Sequence, residues 1–350
     1  MYVFLTKIYR WYAIHKRDLP WRETTDPYKI WLSEIVLQQT RVAQGMEYYR
    51  IFTEKFKTIK DLANASEDSI LKLWQGLGYY TRARNLHATA KFIVKTYNGE
   101  FPKTYKEILQ LKGIGPYTAA AISSIAFDLP YPAIDGNIYR VLSRYFGIST
   151  AIDSVKGRNE IQQIATEILP DENPGFHNQA LMDFGALQCI PKSPDCNKCP
   201  VFESCYAVQN KMVDQLPVKQ KKTKQRVRYF YYYLLESPNE ILMEKRTNKD
   251  IWENLYQLPL LESDTELKEA DFLGKQFLSQ KMNKITIRQI TGVKKHILSH
   301  QIIYASLIHL QTNNFEGISG TFIRVNKKDI YKFAVPKLLE KFFKEIKIDK

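Results

Sequence analysis

Apolar and polar residues recur with two different periods along this chain, and the period changes near residue 216. Upstream, apolar residues return every three or four positions between short turns marked by Gly or Pro, which is typical of amphipathic helices. Downstream, aromatic and branched residues cluster in the runs "YFYYYLLE", "EILMEKR" and "HQIIYASLIHL", which favour β-strands. The pattern predicts a mainly α protein in which an all-α domain is followed by a smaller α+β domain.

A basic segment lies where the two patterns meet. The stretch "DQLPVKQKKTKQRVR" carries six basic residues and no acid between Lys219 and Arg228, so we predict a linker over 216–228 that can follow DNA. The whole chain carries 51 Lys and Arg against 37 Asp and Glu, a formal net charge of +14. Such an excess suits a polyanionic partner, although a lysine-rich proteome would also produce it.

The first residues argue against a targeting or membrane segment. In "MYVFLTKIYRWYAIHKRDLPWR", charged residues such as Lys7, Arg10 and Asp18 interrupt every apolar run. A signal peptide or a membrane-spanning helix needs a longer uninterrupted one. We therefore expect no membrane partner and a cytoplasmic protein that associates with the nucleoid through DNA.

Every cysteine of the chain lies in one stretch, "CIPKSPDCNKCPVFESC". Disulfides are unexpected, because bridged domains are usually short secreted chains, whereas this chain has 350 residues of which 44% are hydrophobic. Structural zinc sites usually pair their ligands in two short knuckles, but here only one short pair exists. The C-x6-C-x2-C-x5-C spacing favours an iron–sulfur cluster, and zinc remains the alternative. The four candidate ligands are Cys189, Cys196, Cys199 and Cys205.

The segment "TYKEILQLKGIGPYTAAAISSIAF" predicts two helices joined by a tight turn. Thr104 and Glu107 form a capping box at the start of the first helix. Gly113 and Gly115 permit a sharp turn, and Pro116 suits the first position of the next helix. The backbone N–H groups of such a helix–hairpin–helix can bind a DNA phosphate, although an ordinary helical turn would share the pattern.

A second Gly-rich junction, "LWQGLGYYTRARNL", adds aromatic and basic residues. We expect Tyr79 and Tyr80 to be available for stacking or wedging against bases, with Arg82 and Arg84 following them. Two such junctions in one basic domain favour DNA as the partner.

Two carboxyl groups stand out as candidates for chemistry. Glu34, in "IWLSEIVLQQTRV", has Ile30, Trp31 and Leu37 on its own helix face, so burial should raise its pKa and suit it to act as a general acid. Asp135, in "YPAIDGNIYRVLSRYF", precedes a helix. The alternatives are a solvent-facing Glu and an Asp that only caps a helix. Together the two carboxyls could break a glycosidic bond, one as acid and the other stabilising a sugar cation.

These motifs occur in the order found in one family. The segments "LPWR", "WLSEIVLQQTRV", "GLGYYTRARNL", "LKGIGPYTAAAI", "AIDGNIYRVLSR", "NQALMDFGALQC" and the cysteine stretch resemble the MutY-type adenine DNA glycosylases of the endonuclease III helix-hairpin-helix superfamily. The resemblance implies removal of adenine mispaired with 8-oxoguanine or guanine in double-stranded DNA, and a [4Fe–4S] cluster on the four cysteines. It also implies a monomer with a catalytic domain at 1–215, comprising a six-helix barrel at 26–130 and a cluster module from 1–25 and 131–215, followed by a Nudix-like lesion-recognition domain at 229–350.

The resemblance also implies a role for individual residues. Glu34 would protonate adenine N7 and then handle the attacking water, Asp135 would stabilise the sugar cation, and Asn137 would position Asp135. Tyr117 stands where related bifunctional enzymes have the lysine that cleaves the strand, so the family match implies a monofunctional hydrolase. The implied adenine-binding residues are Trp21, Arg22, Leu37 and Gln179, and those implied to contact DNA or 8-oxoguanine are Gln39, Thr40, Tyr79, Gly113, Gly115, Ser299 and His300.

The C-terminal domain departs from its families in two places. No Glu-rich metal-binding box of the Nudix pyrophosphatases follows "WENLYQLPLLESDTELKEADFLGK", so we expect no hydrolysis of nucleotides there. In the lesion-reading loop Leu298 replaces the usual Phe, while Ser299 and His300 match. Two other functions stay open: a bifunctional glycosylase/lyase for oxidised pyrimidines, which should have Lys in place of Tyr117, and a non-catalytic iron–sulfur DNA-binding protein, which would need neither carboxyl.

Overall fold

The computed structural model describes residues 2–220, 225–273, 285–315 and 321–348. The chain forms two compact units, the first from 1–64 and 85–221 and the second from 65–84 and 222–350. The segment 65–84 thus belongs to the second unit, although it lies far upstream of that unit's other residues. The domain limits given above remain predictions.

The first unit is helical, as the period of the apolar residues predicts. Its helices are α1 (Tyr2–His15), α2 (Pro27–Leu37), α3 (Val42–Lys55), α4 (Ile59–Asn64), α6 (Thr81–Tyr97, which begins in the second unit), α7 (Tyr105–Gln110), α8 (Pro116–Phe127), α9 (Gly136–Phe146), α10 (Val155–Glu167), α11 (Pro174–Asp183) and α12 (Tyr206–Gln209). A 3-10 turn at Pro20–Arg22 precedes α2, and a π-helical turn at Phe184–Gln188 follows α11.

Side-chain caps explain where several of these helices begin. Asp26 accepts a hydrogen bond from the Tyr28 N–H at the start of α2. At α7, Thr104 accepts from the Glu107 N–H at 3.3 Å, and the Thr104 hydroxyl donates to the Glu107 carboxyl at 2.6 Å. The predicted cap is therefore present, with the second bond made between the two side chains.

An apolar core ties the first helix of the chain to helices much later in the sequence. Phe4 and Ile8 of α1 pack in one cluster with Leu142 of α9, Leu181 of α11 and Phe184 of the π-helical turn. All five side chains are essentially buried. This core fixes the end of α11 and the start of the cysteine stretch relative to α9.

The second unit is built on a mixed sheet. Its strands are β1 (Arg226–Glu236), β2 (Glu240–Lys245), β3 (Tyr256–Gln257), β4 (Leu260–Ser263), β5 (Thr286–Ile290), β6 (Lys294–Ile297), β7 (Gln301–Gln311) and β8 (Ile323–Asn326). The strands β1 and β7 pair in parallel along their full length, β2 and β4 pair antiparallel with β1, and β5 and β6 pair antiparallel with β7. The three predicted strand runs are β1, β2 and β7. The unit's helices are α5 (Glu67–Leu73), α13 (Glu269–Leu273) and α14 (Lys337–Ile346).

The predicted linker is partly wrong. Of its residues 216–228, those at 221–224 lie outside the described residues, and Arg226 already begins β1. Arg228 is buried, pairs with Asp250 at 2.7 Å and also forms an ion pair with Glu262. Because its charge is neutralised inside the fold, Arg228 does not extend a DNA-facing basic tract. Within the described ranges, no helix has both the length and the apolar composition that a membrane crossing requires.

Candidate active site

One cavity of the first unit brings together the candidate catalytic residues. It has a volume of about 510 Å³ and lies among the 3-10 turn, α2, α8, the start of α9 and the end of α11. The predicted site residues on its wall are Trp21, Arg22, Glu34, Leu37, Gln39, Thr40, Tyr117, Asp135, Asn137 and Gln179. Residues separated by up to 158 positions therefore share one pocket wide enough for a nucleobase and its sugar.

Glu34 points into this cavity from α2 rather than toward the outside of the molecule. Burial raises the pKa of Glu34 to about 7, and the charge of Asp135 adds to the shift. The nearby Tyr117 hydroxyl, which donates to Met182 Sδ at 3.9 Å, and the charge of Arg22 oppose it. Burial, together with the carboxyls of Glu34 and Asp135, raises the pKa of Tyr117 well above its usual value, so Tyr117 stays a hydrogen-bond donor. The solvent-facing alternative for Glu34 is wrong.

Asp135 caps helix α9 and also faces the cavity. Its Oδ1 accepts from the backbone N–H groups of Asn137 at 2.9 Å and Ile138 at 2.8 Å, and its Oδ2 accepts from the Asn137 amide at 2.6 Å. Burial raises the pKa of Asp135, and these three hydrogen bonds oppose that rise. Because Asp135 accepts three such bonds at the N-terminus of a helix, Asp135 is the better stabilised anion of the two.

Arg22 is held against the cavity wall by a carboxylate that the sequence analysis did not single out. Its Nη1 and Nη2 donate to the two oxygens of Asp183 at 2.5 and 2.6 Å. Arg17 donates to the same carboxylate through Nε at 2.8 Å and through its backbone N–H at 3.1 Å. Asp183 is fully buried, and the lone acid in the apolar stretch "ALMDFGAL" was the signal that could have revealed it.

Gln179 also reaches the cavity with a partner from the first helix. The Tyr12 hydroxyl donates to Gln179 Oε1 at 3.3 Å, and the Arg22 guanidinium lies 5.7 Å from the centre of the Tyr12 ring. Tyr12 therefore supports two of the predicted adenine-binding residues, a role that the helical pattern of α1 gave no reason to expect.

The predicted hairpin joins α7 to α8. Gly113 has a φ of +83°, which a side chain would strain, and a Cβ there would come within 2.8 Å of the Asn85 side chain. Gly115 is the N-cap of α8, and a Cβ there would meet nothing within 4 Å. The turn geometry is as predicted, and the contact of both glycines with DNA remains a prediction.

Tyr79, Ser299 and His300 lie in the second unit. Tyr79 is 42% exposed, has a φ of +48°, and its hydroxyl forms a hydrogen bond with the Ser299 hydroxyl. Ser299 and His300 are both exposed. Tyr80 is 5% exposed and accepts from the Gly76 N–H, so our expectation that it can wedge between bases is wrong.

The four cysteines surround one small cavity next to the core of the first unit. All four thiols are free, and the cavity is also lined by Arg144 and Phe4. Among the described residues, no set of three or more His, Cys, Asp or Glu side chains is arranged to hold a single metal ion. Four thiols on the wall of one cavity form a donor set that suits a thiolate-ligated metal centre.

Hydrogen bonds to sulfur support the same fit. Arg144 donates to Cys189 Sγ at 3.5 Å, and the backbone N–H group of Val201 favours the thiolate form of Cys199. Burial raises the pKa of Cys199 to about 12, so the free thiol keeps its proton at neutral pH. A bound metal centre would hold these sulfurs as thiolates, and the donors would then stabilise them.

Comparison with known proteins identifies both parts of the chain. Residues 32–170 match the HhH-GPD superfamily of base excision DNA repair proteins, and residues 230–345 match the NUDIX domain. The adenine DNA glycosylase of Buchnera aphidicola from Schizaphis graminum is 34% identical over 349 residues, covering 99% of each chain. The human adenine DNA glycosylase is 39% identical over 222 residues, which cover 61% of this chain and 41% of the human protein.

Solved structures agree with this fold. A thermostable thymine-DNA glycosylase superposes with a TM-score of 0.56 at 32% identity, covering 60% of this chain and 96% of that one. Endonuclease III in a non-covalent complex with DNA gives a TM-score of 0.52 at 25% identity, covering 59% of this chain and 94% of that one. The chain has an HhH-GPD region and a NUDIX domain, and an adenine DNA glycosylase matches it over 99% of both chains. The chain therefore belongs to the adenine DNA glycosylase family.

Proposed function

We propose that this protein hydrolyses the N-glycosidic bond of adenine paired with 8-oxoguanine or guanine in duplex DNA and leaves an abasic site without cutting the strand. The observation that carries the proposal is the pairing of two unlike carboxyls in one cavity. Glu34 has a pKa raised to about 7, whereas Asp135 accepts three hydrogen bonds as a helix cap. When the surroundings of two carboxyls push their pKa values apart, the group with the higher pKa can act as the acid and the other as the anion.

Glu34 acts as the acid on the leaving base. With a pKa near 7, a substantial fraction of Glu34 is protonated at neutral pH. It donates that proton to adenine N7, and adenine leaves as the neutral base with the electron pair of the C1′–N9 bond. The Tyr117 hydroxyl beside the Glu34 carboxyl favours the ionised form that Glu34 takes once the proton has left.

Asp135 acts on the sugar. The carboxylate balances the positive charge that develops at C1′ and O4′ as the base departs. Water then adds its oxygen to C1′ and gives a proton to Glu34, which restores the starting state of the enzyme. The Asn137 amide, 2.6 Å from Asp135 Oδ2, holds the carboxylate in place.

The reaction stops at the abasic site because no amine takes part. Strand cleavage by a lyase requires an uncharged amine that attacks C1′ and forms an imine. Tyr117 stands on the cavity wall instead, and its pKa is raised further above the range in which a phenolate forms. Lys112 lies in the hairpin before Gly113, where a DNA phosphate is the expected partner.

We propose that Cys189, Cys196, Cys199 and Cys205 hold a [4Fe–4S] cluster. When bound, a cluster with four thiolate ligands supplies structural support and leaves no open position for substrate. Purified protein should absorb broadly near 400 nm, as thiolate-bound iron–sulfur centres do, and metal analysis should find iron. Cys199→Ser should weaken the fold of the loop and the affinity for DNA more than the excision step. One zinc per chain without iron would refute this assignment.

The second unit would read the base opposite adenine. Ser299 and His300 are exposed on the loop before β7, and Ser299 already bonds the hydroxyl of the exposed Tyr79. Hydroxyl and imidazole groups can hydrogen-bond the altered N7–C8 edge of 8-oxoguanine, which is why we assign lesion recognition to this loop. The family and the charge of the chain support action on DNA in the cytoplasm, close to the nucleoid.

One duplex assay tests the proposal. Labelled DNA with an A:8-oxoguanine pair is incubated with the wild-type protein, and the products are analysed with and without alkali and for free adenine. We expect free adenine, strand breaks only after alkali, and little covalent complex after borohydride treatment. Efficient nicking without alkali would favour the bifunctional alternative, and DNA binding without adenine release would favour a non-catalytic protein.

A further inference from the structure

A buried carboxylate supports one wall of the cavity without belonging to the reaction described above. Asp183 ends α11, immediately before the π-helical turn, and is fully buried between Met182 and Phe184. Both of its oxygens accept from two arginines, Arg17 and Arg22. A carboxylate in such surroundings is costly unless it is paired, and a paired one is better at fixing a conformation than at adding stability.

The hydrogen bonds leave part of Arg22 available to a ligand. Its Nη1 donates to Asp183 and to the Arg17 carbonyl at 3.1 Å, and its Nη2 donates once to Asp183. These bonds use three of the five N–H groups of a guanidinium. In the part of the chain that the structure describes, no acceptor takes the other two, and Arg22 lies on the cavity wall.

We infer that Asp183 is a positioning residue for base excision: it fixes the Arg22 guanidinium where a flipped base can meet it, and it balances the two arginine charges at the cavity wall. The inference rests on the proposed adenine excision. It adds to that reaction a group that touches neither the base nor the sugar and acts through Arg22.

The sign of the electrostatic effect follows from the groups around Glu34. Tyr117 faces it from α8, Asp135 from the start of α9 and Arg22 from the 3-10 turn, with Arg17 and Asp183 behind Arg22. The positive charge of Arg22 favours the ionised form of Glu34 and lowers its pKa. Neutralising Asp183 would remove a negative charge beside two guanidiniums, so less Glu34 would be protonated at neutral pH.

The first experiment uses Asp183→Asn, which keeps the shape and removes the charge. Single-turnover excision from an A:8-oxoguanine duplex is measured from pH 5.5 to 9 with enzyme in excess, together with the duplex Kd. We expect the rate at pH 7.5 to fall roughly 10- to 100-fold, because a displaced Arg22 guanidinium would misplace the base. We also expect the midpoint of the pH–rate curve to move to lower pH. The Kd should change less than the rate. Asp171→Asn, at an exposed position, is the matched control and should behave as wild type.

Two further variants separate positioning from general damage to the fold. The double variant Arg17→Gln/Asp183→Asn removes one positive and one negative charge, so the midpoint should return toward that of wild type even if the rate does not. Asp183→Glu keeps the charge but shifts it by one methylene, so it should lower the rate with little change in the midpoint. Thermal unfolding of each variant reports its folding. A lower rate with unchanged midpoints in both the Asn variant and the double variant would overturn the inference.

The outcome for Asp183 can be told apart from the outcome for the proposed function. If the wild-type protein releases no adenine, the proposed function fails before any variant is compared. If wild type releases adenine and Asp183→Asn retains both its rate and its pH midpoint, only the role given to Asp183 is wrong.

Discussion

At the scale of single residues, the chemistry of Glu34 is linked to the stability of the protein. Burial raises its pKa from 4.5 to about 7, so between these values the folded protein keeps a proton that the unfolded chain has lost. The folded state then binds more protons, and the free energy of unfolding falls as the pH rises from about 4.5 to 7. Above pH 7 the decrease in the free energy of unfolding is complete, and a pKa shift of this size makes it on the order of 3 kcal/mol.

Glu34→Gln should therefore raise stability and abolish excision in the same protein. An amide does not ionise, so the variant should be about 3 kcal/mol more stable than wild type at pH 8 and little different at pH 4.5. It cannot protonate adenine, so the single-turnover rate should fall by at least a factor of about 100 at every pH, with duplex binding retained. Urea unfolding at both pH values and a single-turnover assay measure these effects. Glu54→Gln, on the exposed side of α3, should show neither.

Tyr117→Lys tests whether an amine in the cavity is enough to give the protein lyase activity. Burial should lower the pKa of the new lysine, and the carboxyls of Glu34 and Asp135 should oppose that fall. The uncharged fraction of the lysine can form an imine with C1′. We expect borohydride trapping and some alkali-independent nicking, both absent from wild type. Lys112→Ala should leave the wild-type pattern unchanged, since Lys112 lies on the hairpin. Nicking by wild type that persists in Lys112→Ala would contradict the monofunctional mechanism.

The sequence predicted well which residues line the active-site cavity. It predicted less well which other residues support them. Glu34, Asp135 and Tyr117 lie in motifs whose resemblance to one family implied a shared site, and all three line one cavity. Asp183 and Tyr12 were missed because their partners lie about 165 residues away, and no local period reports such contacts. For Asp135, the sequence is compatible with helix capping or with catalysis, and in the structure the side chain caps α9 and also lines the cavity.

At the scale of elements, the π-helical turn Phe184–Gln188 sets how closely α11 approaches α9. A Cβ on Gly185 would lie 2.6 Å from the Asn137 Cβ and 3.0 Å from its carbonyl oxygen. Asn137 holds Asp135, and Arg140 donates both to the Gly185 carbonyl and to the Asn137 amide oxygen. Turns of this type are frequent at functional sites because they shift a side chain or a backbone segment by one position.

Gly185→Ala should therefore slow excision although alanine favours helices. The added methyl must displace Asn137, which weakens its bond to Asp135, and we expect the single-turnover rate to fall roughly 10-fold or more. Overpacking should also cost about 1–3 kcal/mol of stability. Gly292→Ala is the matched control, since a Cβ there meets nothing within 4 Å. A wild-type rate in Gly185→Ala would remove the turn from the positioning of Asp135.

The elements themselves were largely predictable, and the errors have physical causes. The capped helix α7, the hairpin and the strands β1, β2 and β7 follow from caps, glycines and periods of two or 3.6 residues. The failure at Arg228 arose because a charge run does not show whether its members find buried carboxylates. The prediction that Tyr80 is available to bases was wrong because the sequence does not show which of two adjacent tyrosines faces the interior, and here it is Tyr80.

At the scale of the whole molecule, the net charge of +14 predicts salt-dependent binding. If the protein neutralises six to ten phosphates, duplex affinity should fall roughly 10³- to 10⁵-fold between 50 and 200 mM salt. The excision rate with saturating enzyme should stay constant, because the carboxyls act inside a cavity. Lys112→Gln should reduce the slope of log affinity against log salt by about one. Lys156→Gln, an exposed substitution on α10, should leave it unchanged, and equal slopes for both variants would contradict a phosphate contact at the hairpin.

The packing of α1 has a consequence for how the protein is made. Phe4 and Ile8 are translated long before their partners Leu142, Leu181 and Phe184, which lie much later in the sequence. At roughly 5–20 residues per second, α1 waits about 10 to 40 s with its apolar face uncovered. Contacts this distant along the chain also form slowly. The helix that supports Gln179 through Tyr12 is thus translated well before the helices that cover it and docks late, so during synthesis it is a natural site for chaperone binding and for loss to proteolysis.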